Sequence, residues 1–329
     1  MRKVLVTGGA GFVGRRLVRR RLEAGDEVHC VDSLVPLSGA IEPGKDWFGI
    51  DPTAFDDFHF YHEDCRDYFR RVKDDDFDYC FHLAAIVGGR LMIEQNPLAV
   101  ADDLSIDAAY WQWATRTEPK KSVCFSSSAA YPIKFQRLEN YCLLTEDMID
   151  FDANLGVPDM SYGWSKLTLE YLGRLAWERH GLRSVVFRPF SGYGEDQDMT
   201  YPVPTICKRA LENVGAEQLT VWGSGEQKRD FIYIEDCIDG ILAMMDKIDD
   251  GDAVNLSTGI FTDFKRFAGI AARQCGYEPR VVGMSDKPEG VFARAGGTLK
   301  QESLGFNYST SLETGISKVL NHLSSLLAS

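Results

Sequence analysis

The sequence predicts an α/β chain: a doubly wound parallel sheet with helices on both faces, followed by a second, smaller lobe. Three observations carry that expectation. A short apolar run, Lys3–Thr7, stops on glycines and gives way to helical texture. Strand and helix signals then alternate, with short turns, to about residue 190. Beyond that point glycine, proline and aromatic residues crowd together, as in Tyr201-Pro202-Val203-Pro204 and Trp222-Gly223-Ser224-Gly225. A chain of 329 residues suits one large domain and a smaller one. The expected division is 1–190 for the sheet domain, with chain returns near 229–260, and 191–329 mainly for the lobe.

The elements follow in order. Lys3–Thr7 is the first strand. Gly11–Ala24 reads as a helix, with Leu17 and Val18 apolar among arginines. Glu27–Val31 is a second strand, and Phe77–Leu83, Ser122–Ser126 and Ser184–Phe187 are further ones. Pro97–Thr115 and Tyr162–His180 read as helices. Right-handed crossovers follow for parallel strands joined this way. Asp74-Asp75-Asp76 reads as a solvated loop before the Phe77 strand. No internal repeat or low-complexity tract is visible.

Composition narrows the function classes. Apolar residues make up 44% and charged residues 26%, which fits a globular chain. The net charge of −13 disfavours nucleic acid as a partner, because phosphate neutralisation needs a basic face. A small phosphate-bearing substrate held by a local arginine pair stays open. No stretch approaches the ~20 apolar residues of a membrane span, and Met1-Arg2-Lys3 leads into glycines rather than a signal sequence; a cytoplasmic location is expected. The eight cysteines include no CxxC pair, and the six histidines lack metal-ligand spacing, so no metal is expected. Cys80 and Cys124 lie in apolar runs and read as buried thiols. His82, closing an apolar strand, reads as structural.

Thr7-Gly8-Gly9-Ala10-Gly11-Phe12-Val13-Gly14 places glycines at 8, 11 and 14, after a strand and at the start of a helix. A turn without side chains lets the backbone approach a pyrophosphate, and the helix N-terminus offers free N–H groups and partial positive charge. Gly14 lets helix and strand pack closely. An acid roughly twenty residues on completes the pattern. That acid is Asp32, whose carboxylate can accept both hydroxyls of an adenosine ribose. It would repel a 2′-phosphate and so favours NAD over NADP, although Arg15 and Arg16 stand near enough to hold one. Asp64 is expected at the adenine. His82-Leu83-Ala84-Ala85 closes the Phe77 strand with small residues where the dinucleotide must pass.

Tyr162-Gly163-Trp164-Ser165-Lys166 sets a phenol and an ammonium on one helix face. A phenol titrating near about 10 is a poor base at neutral pH. A nearby ammonium, with the positive charge of oxidised nicotinamide, favours the phenolate. Tyr162 can then take a hydroxyl proton while hydride leaves. A chance surface pair is the plainer reading of YxxxK alone. Phe125-Ser126-Ser127-Ser128-Ala129-Ala130-Tyr131-Pro132 ends a strand with hydroxyls, one of which can orient a substrate oxygen toward Tyr162. Arg188-Pro189-Phe190-Ser191-Gly192-Tyr193-Gly194 ends another strand in a sharp turn. Arg229 and Arg294 can each grip a diphosphate through paired N–H donors, or simply face solvent.

Taken in order, TGGAGFVG, Asp32, HLAA, FSSSAAYP, YGWSK and RPFSGYG resemble the extended short-chain dehydrogenase/reductase family, the group of NAD-dependent sugar epimerases and dehydratases. The resemblance runs from Gly8 to about Leu312. Within the family the chain is most similar to the GDP-mannose 3,5-epimerase group, through Val87-Gly88-Gly89, Ser127–Gln136, Val221–Cys237 and Pro288–Arg294. It implies a Rossmann sheet, NAD as cofactor and a Tyr162–Lys166 pair. The catalytic serine falls on Ser127 when Lys120-Lys121 and Tyr131-Pro132 are both matched without a gap, and on Ser128 when the serines alone are matched. The implied cofactor set is Gly8, Gly11, Phe12, Val13, Gly14, Asp32, Asp64, Cys65, Leu83, Ala84, Ala85, Tyr162, Lys166 and Pro189. The implied substrate set is Gly88, Ser127, Ser128, Tyr162, Ser191, Arg229 and Arg294.

Departures from the family narrow the chemistry. Ala129 stands where the 3,5-epimerases and GDP-fucose synthases carry a cysteine acid/base, and Tyr201 where the 3,5-epimerases carry a lysine. Ala129-Ala130 replaces the Asp-Glu pair of the 4,6-dehydratases, and Ser191 replaces the usual asparagine of the strand-end turn. Chemistry needing only Ser, Tyr and Lys remains: oxidation at one carbon, rotation of the keto-sugar and return of hydride to its other face. The expectation is therefore 4-epimerisation of a GDP- or UDP-hexose with NAD regenerated. A net keto-sugar reductase, dehydrogenase or dehydratase is the alternative enzyme, and a non-catalytic dinucleotide-binding scaffold the alternative from another class. A homodimer is expected, with Trp111, Trp113, Leu172 and Leu175 pairing helices across subunits unless they face the sheet core.

Overall fold

The structure is a computed structural model that describes residues 1–35, 39–73, 76–86, 90–153 and 155–328. Asp74 and Asp75 of the acidic run, and Val87, Gly88 and Gly89, lie outside the described residues. The first half runs β1 (Lys3–Thr7), α1 (Phe12–Glu23), β2 (Glu27–Asp32), β3 (Phe58–His62), α2 (Cys65–Arg71), β4 (Tyr79–His82), α3 (Arg90–Gln95), α4 (Pro97–Val100), α5 (Asp103–Thr117), β5 (Ser122–Phe125), α6 (Met160–His180) and β6 (Ser184–Pro189). The second half runs β7 (Ser191–Tyr193), α7 (Pro202–Glu212), β8 (Gln218–Trp222), β9 (Lys228–Arg229), β10 (Phe231–Tyr233), α8 (Ile234–Met244), β11 (Asp250–Leu256), β12 (Thr262–Asp263), α9 (Phe264–Gln274), β13 (Arg280–Met284), β14 (Ala293–Arg294), α10 (Leu299–Ser303) and α11 (Leu312–Ala328).

Seven parallel strands form one sheet in the order β11-β6-β5-β4-β1-β2-β3. The winding reverses between β1 and β4, so a crevice opens at their carboxyl ends, beyond Thr7 and His82. Strands in such a sheet are covered on both faces and read as continuous apolar runs. In β1, Val4 and Val6 join the cluster that holds Leu17 and Val18 of α1, whereas Leu5 joins Cys80, Cys124 and Val186 on the other face. Each is buried completely, worth about 1.5–3 kcal/mol apiece. Cys80 and Cys124 are free, buried thiols.

Two elements differ from the sequence reading. The helix expected over 97–115 is two helices, α4 and α5, parted at Ala101 and Asp102. Asp102 and Asp103 are acids suited to the first turn of a helix, and Asp102 is held there by Arg66 of α2 and by Ser105. Trp111 and Trp113, expected at a subunit contact, lie in the core at 5% and 1% exposure. The Trp111 indole donates to the Leu169 carbonyl at 3.2 Å, and that of Trp113 to the Val72 carbonyl at 2.9 Å. Leu172 packs part-buried on the same cluster, and Leu175 is half-buried. The alternative stated for these residues, that they face inward, therefore applies to both tryptophans.

After β6 the chain builds small sheets beside the large one: β7 with β10, β8 with β13, and β9 between β12 and β14. It returns to the main sheet once, as β11 beside β6. Among the described residues no helix is long and apolar enough to cross a membrane.

Candidate active site

The crevice at the β1–β4 switch opens into a cavity of about 500 Å³. Its wall at one end is the β1–α1 turn. Gly8 takes φ +68°, and a Cβ there would stand 2.8 Å from the Ala84 amide nitrogen. At Gly14 a Cβ would meet the Gly8 carbonyl at 2.3 Å, so helix and turn close only on glycine. Gly11 begins α1 with no side chain capping it, which leaves the helix N-terminus facing the cavity. Phe12, Val13 and Gly14 line the same wall.

Asp32 lies at the end of β2, accepting from the Ala10 amide at 3.0 Å and the Leu34 amide at 2.8 Å. Burial pushes its carboxyl up, against those two amides and Arg15. Arg15 and Arg16, candidates for a 2′-phosphate, are committed elsewhere. Arg15 bonds Asp196 at 2.8 Å and the Ala10 carbonyl at 2.6 Å; Arg16 bonds Asp196 at 2.6 Å and Glu235 at 3.2 Å. Asp64, Cys65, Leu83, Ala84, Ala85 and Pro189 also line the cavity. Asp64 caps α2 and pairs with Arg66 at 2.6 Å, which holds its carboxyl below the usual range. These groups fit a dinucleotide: a side-chain-free turn for phosphates, a carboxylate for ribose and small residues along the path between them.

Ser127, Tyr162 and Lys166 line the cavity's middle. β5 delivers Ser127, whose Oγ accepts from the Ala129 amide at 3.1 Å. Ser128 is buried behind it and is not among the lining residues. Tyr162 and Lys166 come from one face of α6, the ammonium nitrogen lying 5.8 Å from the phenol ring centre. Burial pushes the Tyr162 phenol up, and Lys166 with a hydrogen bond to Ser127 offsets only part of that. The sequence reading assigned the lowering of this phenol to the lysine together with the charge of oxidised nicotinamide; in the chain by itself, desolvation outweighs the lysine.

Sequence reasoning missed two acids behind Lys166. Asp103 and Asp107 sit one turn apart on α5, both buried, each with one carboxylate oxygen lacking a partner among the described residues. Asp103 accepts from the Ile86 amide, and Asp107 lies 3.2 Å from His82 Nε2. His82 Nδ1 in turn bonds the Thr7 hydroxyl at 2.8 Å, and burial keeps the ring neutral. Burial works against the Lys166 ammonium, yet Asp107 and Asp103 outweigh it and raise the lysine. Burial likewise pushes Asp103 up to about 7, with Lys166 opposing. The visible signal was an acidic i, i+4 pair on the helix face that also carries Ile106, Tyr110 and Trp111.

Ser191, Tyr201 and Arg229 line the cavity as well. The Arg229 guanidinium is anchored on the Lys228, Val291 and Glu289 carbonyls. Arg294 stands apart, bonded to Asp159 at 2.7 Å and Gln136 at 2.6 Å. The structure therefore gathers the expected residues into one cavity except Ser128 and Arg294, with Gly88 outside the described residues.

Residues 4–257 match the NAD dependent epimerase/dehydratase family. The GDP-mannose 3,5-epimerase 1 of Oryza sativa subsp. indica is 26% identical over 95% of this chain and 79% of that protein. A putative UDP-glucose 4-epimerase of Methanocaldococcus jannaschii is 26% identical over 97% of each. The solved UDP-glucose 4-epimerase of Thermotoga maritima with UDP-glucose superposes with a TM-score of 0.81 at 24% identity, over 99% of both chains.

Proposed function

The chain belongs to the NAD dependent epimerase/dehydratase family and is an NAD-dependent enzyme, and on that premise we propose that it inverts one carbon, C4, of a GDP- or UDP-linked hexose. The single observation that carries this reading is Ser127, Tyr162 and Lys166 lining one cavity with the Gly8–Gly14 turn, with only alanines at 129 and 130. Curated relatives named for epimerases of nucleotide sugars support the substrate class.

NAD, held by the Gly8–Gly14 turn and Asp32, would supply a reversible hydride acceptor and the positive charge of its oxidised ring. The chain's own residues do the rest. Tyr162 takes the hydroxyl proton as the carbon is oxidised and gives it back after the keto-sugar has turned over. Lys166 stabilises the phenolate, and Asp103 and Asp107 keep that lysine charged. Ser127 donates to the sugar oxygen and aligns it with the phenol. Arg229 grips the diphosphate. Alanines 129 and 130 can move no proton, which disfavours 3,5-epimerisation and dehydration.

Tyr162→Phe tests the mechanism. Turnover of UDP- and GDP-hexoses should fall at least about 10²-fold, while NAD stays bound; undiminished turnover would sink the assignment. Accumulation of NADH during turnover would instead favour a net dehydrogenase.

We also propose a homodimer formed through the outer faces of α5 and α6. Leu104, Trp164 and Tyr171 expose 40%, 48% and 43% of their surface there, and apolar groups of that size favour contact with a second copy. Sedimentation should return twice the chain mass.

A further inference from the structure

β2 and β3 bring together three side chains, two from β2 and one from β3. Glu27 and His29 alternate on one face of β2, and His59 is the register partner of His29 on β3. One ligand atom from each lies within 4.8 Å of the others. Glu27 Oε1 sits between the two rings, 2.8 Å from His29 Nε2 and 3.5 Å from His59 Nε2. The imidazole centres are 4.8 Å apart and tilted by 50°.

We propose that Glu27, His29 and His59 form a binding site for one borderline transition-metal dication, Zn²⁺, with water as fourth ligand. Two imidazoles and one carboxylate make an accepted zinc donor set. The second ring nitrogen of His29 is already oriented, because Nδ1 bonds the Tyr61 hydroxyl at 3.1 Å and so turns Nε2 toward Glu27. His29 is 7% exposed, whereas Glu27 and His59 stay half-open, which gives a closed floor and a mouth for the ion.

The site lies at the amino end of β2, and Asp32 ends the same strand, about 10 Å beyond His29 at ~3.3 Å per residue. It is therefore separate from the NAD crevice, and its role is to fasten the edge strand β3 to β2.

The test uses the full chain, freed of metal by chelation and then equilibrated with Zn²⁺. Elemental analysis should find one zinc per chain, Tm should rise on addition, and Co²⁺ should give the visible absorption of a four-coordinate site. His59→Ala and Glu27→Gln should each weaken zinc binding at least about tenfold and abolish the Tm rise. Unchanged circular dichroism and NAD binding would show that both variants fold. Absence of stoichiometric zinc on the native chain, or undiminished zinc binding in both variants, would overturn the proposal.

Discussion

Asp103 has one carboxylate oxygen on the Ile86 amide and the other unpartnered among the described residues, in a setting that also holds Asp107 and Lys166. Its carboxyl, pushed up to about 7, keeps a proton that an unfolded chain would lose near about 4. The native state therefore binds that proton more tightly. The stability this confers is complete below about pH 4 and is lost as pH rises to about 7. Asp103→Asn keeps an oxygen for the Ile86 amide but cannot ionise. Urea unfolding of both proteins at pH 4 and 8 should show the native chain losing on the order of 3–4 kcal/mol relative to the variant. Parallel pH dependence in the two would mean the carboxyl binds its proton no more tightly in the native state than in the unfolded chain. The acids of α5 were readable as an i, i+4 pair, but their burial was not, since an acid on an apolar helix face has no sequence mark for what lies above it. Tyr162 illustrates the same limit. Its lysine was legible one turn away, while the desolvation that outweighs the lysine depends on walls contributed by distant segments.

The β1–α1 turn was legible element by element, because its glycines answer local geometry. Gly14→Ala would drive a Cβ against the Gly8 carbonyl at 2.3 Å, backbone that has no room to yield. Overpacking of about 1–3 kcal/mol should appear as roughly a tenfold or greater loss of NAD affinity by titration calorimetry. An unaltered affinity would mean the turn is not the phosphate cradle. Strands β1, β2, β5 and β6 were equally plain, as apolar runs bounded by turn residues. The break between α4 and α5 was not, because it depends on Arg66 reaching over from α2 to hold Asp102. The small sheets after β6 were also hidden. β9, β12 and β14 have two residues each, too short for any periodicity. Glu27, His29 and His59 were invisible as a set for a related reason: strand register, not spacing, joins His59 to the other two.

At the scale of the whole molecule, the proposed dimer makes stability depend on concentration. If α5 and α6 pair across subunits, Tm should rise with protein concentration over the micromolar range, since association favours the folded state. A Tm independent of concentration, with a monomeric mass, would refute the dimer. Within one chain, the two halves are joined by ion pairs at α1. Asp196 follows β7, and although burial pushes its carboxyl up, Arg16 and Arg15 hold it below the usual range. The helix that opens on the phosphate turn is thereby latched to the segment behind Ser191. An engineer who wished this enzyme to accept a 2′-phosphorylated cofactor would have to do more than remove Asp32. Arg15 would have to be released from Asp196 to greet the new phosphate, and the release would loosen the hold of α1 on the segment after β7. Cofactor preference and the anchoring of α1 thus meet at Arg15 and cannot be retuned separately.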